Sequence, residues 1–194
     1  AEGPAIVCVE AEPPSGWADI TLNAALLDRL SLSLMVRYQV RRGRPRWVES
    51  WDVDGGPREI FGDLDSDEVE TKLSGVLGIT RAVTFQVFGQ LLYSVGTYDR
   101  YRQLLPLDDG SSLLGPTSFD ADDDYVRLSL LLNAILRWDL GGGAAAYLVY
   151  KLSATLDRDG AAQAAFDPGR DMGALFDQDQ GHLLLTKLSY GWDL

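Results

Sequence analysis

The sequence predicts an all-β fold, an antiparallel up-and-down meander of about seven or eight long strands forming a transmembrane β-barrel, as part of a larger one. Three observations predict it. Apolar and polar residues alternate at period two over long stretches, the alternating segments exceed ordinary globular strand length, and the connections between them are short and long in turn.

In chain order, Ala5 to Glu12 reads as a weak first strand within a poorly defined N-terminal segment, residues 1–16. Asp19 to Leu27 sets Ile20, Leu22, Ala24 and Leu26 against Asp19, Thr21 and Asn23. Arg29 to Arg41 is the clearest case, with Leu30, Leu32, Leu34, Val36, Tyr38 and Val40 opposite Arg29, Ser31, Ser33, Arg37 and Arg41. A helix would put those Ser and Arg residues on its apolar stripe. Glu68 to Ile79 sets Val69, Leu73 and Leu77 against Glu68, Glu70 and Lys72, and Val83 to Tyr98 sets Phe85, Val87, Leu91 and Tyr93 against Thr84, Gln86 and Gln90. Tyr125 to Leu140 opposes Val126, Leu128, Leu130, Leu132 and Leu136 to Arg127, Ser129, Asn133, Arg137 and Asp139. Ala144 to Asp157 and His182 to Leu194 continue the pattern.

Leu27-Asp28-Arg29, Thr80-Arg81-Ala82 and Gly141-Gly142-Gly143 read as tight turns, whereas 43–67, 99–124 and 158–181 read as long acidic loops. Short turns on one side and long loops on the other are the habit of outer-membrane barrels. Aromatics on the apolar parity near strand ends, among them Tyr38, Phe85, Tyr93, Trp138, Tyr190 and Trp192, fit interfacial girdles. No apolar run approaches the ~18 residues of a membrane-spanning helix, so a crossing would be made by strands.

The chain has 194 residues and a net charge of −12, which argues against nucleic acid as a partner because phosphate binding rests on clustered Lys and Arg. Cys8 is the only cysteine, which excludes an intrachain disulfide or a thiolate metal cluster. The start at Ala1-Glu2-Gly3, without Met or signal peptide, is read as the beginning of a C-terminal fragment.

Specific words then carry a resemblance. Ile60-Phe61-Gly62-Asp63-Leu64-Asp65, Val83-Thr84-Phe85-Gln86-Val87-Phe88-Gly89-Gln90, Gly96-Thr97-Tyr98, Asn133-Ala134-Ile135-Leu136-Arg137-Trp138-Asp139, Tyr147-Leu148-Val149-Tyr150 and Lys187-Leu188-Ser189-Tyr190-Gly191-Trp192 follow one another in order. Together they resemble the C-terminal barrel region of a family of uncharacterised bacterial outer-membrane proteins that also carry an N-terminal carbohydrate-binding-like sandwich of the family 9 type. The chain departs from that pattern at its three glycines, where a Pro-Gly-Ser type turn is usual. The resemblance implies a bacterial outer-membrane location, partners in outer-membrane lipid, lipopolysaccharide and the barrel-assembly machinery, and glycans met through the sandwich domain rather than through these residues.

The residues with chemistry to offer fall into four groups. Arg37, Arg41, Glu68, Glu70, Lys72, Arg127, Arg137, Asp139 and Lys151 lie on the polar parity and are expected to line a lumen, either as a conducting surface or as an ion-pair network. Asp63, Asp65, Asp67, Asp122 and Asp124 are candidates for loop-bound Ca²⁺ but lack the Gly and distant Glu of an EF-hand loop, so no cofactor is expected. Leu188, Tyr190, Trp192 and Leu194 supply the alternating, aromatic-ended last strand that an assembly signal needs. No catalytic residue is expected, since His182 is the only histidine and has no Ser or Asp at a recognisable spacing. The leading expectation is a porin-like channel or surface scaffold. Its alternatives are a soluble antiparallel barrel holding a hydrophobic ligand, with its polar face outward, and a carbohydrate-active hydrolase component with a paired-carboxylate cleft.

Overall fold

A computed structural model describes residues 15–53, 56–106, 112–160 and 166–191. It contains strands β1 (Gly16–Leu27), β2 (Leu30–Val53), β3 (Gly56–Gly78), β4 (Val83–Pro106), β5 (Ser112–Pro116), β6 (Tyr125–Gly141), β7 (Ala144–Asp159) and β8 (Gly181–Tyr190), with one helix, α1 (Pro168–Asp177), between β7 and β8. The strands form one antiparallel sheet in the order β1-β2-β3-β4-β6-β7-β8, and β5 pairs with the far end of β4.

Residues directly opposite each other on neighbouring strands point to the same face, so the register carries each strand's alternation across the whole sheet. One row runs Leu22, Leu34, Leu73, Gly89, Leu132, Leu152, His182. One residue along each strand, the next row runs Asn23, Ser33, Ser74, Phe88, Asn133, Lys151, Leu183. The sheet therefore has an apolar face and a predominantly polar face. Asn23, Ser31, Ser33, Ser74, Gln86 and Asn133, together with Ala25, Val76, Phe88 and Ile135 of the same face, line a concavity of about 840 Å³, so the hollow lies on this face with a mixed polar and apolar lining.

The short connections fall where the sequence puts them. At Gly141, Gly142 and Gly143 the φ angles are +80°, +58° and +78°, a run of left-handed backbone that only glycine adopts without strain. The long connections are corrected. Most of 43–67 is strand, because β2 and β3 run on together past residue 41, with register shifts at Arg41/Arg44 and Trp47/Glu49. Each shift is a bulge that breaks strict alternation while the ladder continues. Likewise, β4 extends to Pro106 and takes β5 as a partner inside 99–124. The loop at 158–181 holds α1, capped by the Asp167 carboxylate, which accepts from the Arg170 amide at 3.1 Å, with Pro168 opening the first turn.

Among the described residues β1 pairs only with β2 and β8 only with β7, so these strands do not close the expected barrel by themselves. The weak strand at Ala5 to Glu12 lies outside the described residues. The best-packed region is the apolar-face cluster of Tyr93, Val95, Val126, Leu128, Ala154 and Leu156, covered by Leu175 of α1.

Candidate membrane belt and polar lumen face

Apart from the patch under α1, the apolar face is left open to its surroundings. Ile20, Leu22, Leu73, Leu148, Leu184 and Leu188 are all exposed, Leu22 at 57% and Leu188 at 78%. They sit on different strands but in neighbouring rows, so they form a continuous band rather than scattered surface hydrophobes. Contiguous exposed apolar surface of this kind marks an interaction surface, with another protein, a ligand or a membrane. On β6 the open part of the band runs from Trp138 to Leu130, eight residue steps, about 27 Å along the strand and about 21 Å along the normal for a tilt near 40°, and Leu128 beyond it lies under α1. An outer-membrane barrel presents a lipid band of about 25 Å.

Both margins of the band change chemistry. At the turn end stand exposed Trp138 and Tyr190. At the other end Tyr38 and Tyr93 share a row with Val69, Leu128 and Leu156, and the next row contains Val40, Asp67, Val95, Val126 and Arg158. Asp67 accepts both Nη2 contacts of Arg42 at 2.9 Å and a short bond from the Tyr38 hydroxyl. In the middle of that margin, where Val95 and Val126 are apolar, α1 lies across the face instead. Its anchor is Asp171, fully buried, which accepts from the Tyr93 hydroxyl at 2.6 Å, from Arg158 Nη1 at 3.0 Å and from Arg170 Nε at 2.7 Å. The Tyr93 hydroxyl in turn accepts the Asp167 amide at 3.0 Å.

The expected lumen residues all fall on the polar face by register, and all of them except Lys151 form ion pairs within it. Glu70 accepts from Lys72 and from Gln90 Nε2, both at 2.8 Å, with Arg37 4.0 Å away and Asp19 beyond at 3.7 Å from Arg37. Arg41 pairs with Glu68 and donates to Gln39 at 2.9 Å. Arg127 meets Asp157 at 3.3 Å and Arg137 meets Asp139 at 3.5 Å. Lys151 stands between Asn133 and Leu183 in the register. Cross-strand pairs (Arg37 with Asp19 and Glu70, Arg41 with Glu68, Arg127 with Asp157) and same-strand pairs two residues apart (Glu70–Lys72, Arg137–Asp139) thus share the face that carries the concavity, an arrangement that can fill or line a barrel interior.

Of the Ca²⁺ candidates, Asp63 is buried and pairs with Arg102 and Arg100, the latter at 3.2 Å. Asp65 accepts the Gly43 amide at 2.6 Å, and Asp124 accepts the Tyr98 amide at 2.7 Å. Among the described residues no three metal-ligating side chains converge, so these carboxylates and Asp67 are spent on arginines and backbone amides. Asp122 approaches the backbone at Gly160. His182 lies on the apolar face, its Nδ1 2.8 Å from the Tyr150 hydroxyl. Of the assembly-signal residues, Leu188 and Tyr190 are exposed on β8, while Trp192 and Leu194 lie outside the described residues.

Sequence reading missed the aromatic group at the far end of β2–β4. Tyr98 and Tyr101 stack 6.5 Å apart against Gly62, Phe119 meets Tyr101 edge-on at 5.3 Å and Trp51 at 5.6 Å, and Tyr101 donates to Asp123 at 3.1 Å. Burial, and then the Asp123 carboxylate, push the Tyr101 phenol well above its usual range. The signal was present in Gly62 and Gly96, strand glycines that each lie under an aromatic ring, Gly96 under Tyr125. Asp171 was also missed, because nothing in a loop sequence marks one carboxylate as buried.

A family model described as Domain of unknown function (DUF5916) matches residues 7–194. No curated protein and no solved structure matches the chain.

Proposed function

The chain belongs to the DUF5916 family, a domain of unknown function, and from that premise we propose that it forms part of the wall of an integral bacterial outer-membrane β-barrel, a porin-like channel or surface scaffold. The observation that carries the reading is the pairing of two faces: an exposed apolar band, and a hollow polar face whose charges pair with one another. A soluble barrel around a hydrophobic ligand needs its charges outside, whereas here the paired charges lie on the same face as the hollow, although Val76, Phe88 and Ile135 share its lining. Among the described residues no helix is long and apolar enough to cross a membrane. The linked roles, a partner sandwich domain that meets glycans and assembly through the last strand, rest on the family resemblance and on the β8 pattern of Leu188 and Tyr190. The test is extraction and migration of the full-length protein. It should be released from membranes only by detergent and run faster on gels unheated than boiled. Recovery in the soluble fraction without detergent would refute the reading.

A further inference from the structure

The chemistry of the hollow face is uneven. Toward the loop side its polar groups are spent on one another: Arg37, Arg41, Lys72 and Arg127 each meet a carboxylate, and Gln39 and Gln90 bond to the same groups. The concavity lies turn-side of that network, on the two rows that run through Phe88 and Gln86, and none of its lining residues is charged. Its six amide and hydroxyl side chains, Asn133, Gln86 and Ser74 among them, have no hydrogen-bond partner among the described residues. Between them the exposed Phe88 ring and Val76 side chain leave a small apolar floor. Donors and acceptors with unused capacity around an apolar surface suit a solute that carries hydroxyls along a carbon chain.

A charge stands beside this group. Lys151, exposed on β7, follows Asn133 on the Phe88 row, about 10 Å from Phe88 at the backbone, and Lys187 lies nearer the turns on β8, its ammonium 5.9 Å from the Tyr147 ring centroid. Arg137 is paired with Asp139, but among the described residues neither lysine has a carboxylate within ion-pair distance. From Asn133 to the turns, the described hollow face of β6–β8 therefore carries Arg137, Lys151 and Lys187 against Asp139 alone, a locally positive sector in a chain of net charge −12.

We propose that the hollow binds a small hydroxylated carboxylate: the carboxylate pairs with Lys151, the hydroxyls bond to Asn133, Gln86 and Ser74, and the carbon chain lies over Phe88 and Val76. This names the solute class of the barrel interior and rests on that reading. Lys151 sets the sign of the preference, because an ammonium at the rim attracts an anion and repels a cation of the same shape. The amides and hydroxyls set the match to a hydroxylated chain, since each can donate to or accept from a hydroxyl.

The experiment is an NMR titration of the full-length protein in detergent micelles with three probes of similar size, gluconate, glucose and glucosamine, read at the side-chain amides of Asn133 and Gln86. The proposal expects saturable shifts with gluconate, at an affinity about fivefold above that for glucose, as one exposed ion pair gives, and the weakest response to glucosamine. Lys151→Gln should bring gluconate down to the level of glucose, and Asn133→Ala should weaken both. Glucose or glucosamine binding as tightly as gluconate, a gluconate preference that survives Lys151→Gln, affinities unchanged by Asn133→Ala, or amides that respond to no probe would each overturn it. Heat-modifiable migration of the same samples shows that the variants fold and keeps the two claims apart. If migration shows a barrel while the amides ignore gluconate, the solute site fails and the membrane reading stands; if migration shows none, the membrane reading itself fails.

Discussion

Asp171 is the residue on which the loop-side margin turns. Desolvation raises its carboxyl, but the Arg170 guanidinium, the Tyr93 hydroxyl and Arg158 outweigh that, and the group titrates below the usual carboxylate range. A depressed folded-state value means its contribution is complete above the unfolded value of about 3.9 and is lost as pH falls through the folded value. Hydrogen exchange of the α1 amides should accordingly be slow at neutral pH and accelerate only below about pH 4. Asp171→Asn leaves Arg158 and Arg170 beside a neutral group, and should cost about 3 kcal/mol of helix docking. In that variant α1 exchanges fast at every pH, and loss of the acid transition is the readout. Two neighbouring residues on β3 test the faces in the same way. Leu73→Arg places a charge near mid-belt and should cost about 2–4 kcal/mol in unfolding from lipid, whereas Ser74→Arg on the hollow face should cost much less.

Among the elements, the strand bodies were legible because one greasy and one polar face leave a period-two signature that no helix tolerates. The hairpin extensions were not. Arg41 to Trp47 is rich in Arg, carries Pro45 and crosses a bulge, so its parity shifts mid-strand and the pattern dissolves although the ladder persists. The helix α1 was illegible for a different reason: ten residues with Gly169 and Gly173 have little intrinsic helicity. Its only local mark was Asp167-Pro168, a cap followed by a first-turn proline, and its stability comes from Leu175 and Asp171 packing on the sheet. The β6–β7 turn gives an element-scale prediction. Gly142 has open space around it and φ +58°, so Gly142→Val meets backbone strain rather than a clash and should lower hairpin stability by about 1–2 kcal/mol. Urea unfolding in detergent would measure it, and an unchanged midpoint would show the turn to be free to rearrange.

At the scale of the whole molecule, the apolar face and the opposite, predominantly polar face follow from one fact, that register preserves parity across all seven strands of the sheet path. That fact was latent in the sequence, since each strand's alternation could be read there but not the phase between strands. The polar-parity charges could be assigned to a face on parity alone; which of them pair, such as Glu70 with Lys72, Gln90 and Arg37, depended on register. The most direct measurement is a nitroxide scan along β3 from Glu68 to Leu77 in lipid bilayers, with oxygen and a water-soluble nickel chelate as relaxants. The account expects high oxygen access at Val69, Thr71, Leu73, Gly75 and Leu77, and nickel access or burial at Glu68, Glu70, Lys72, Ser74 and Val76. The reverse phase, or nickel access at both parities, would contradict it.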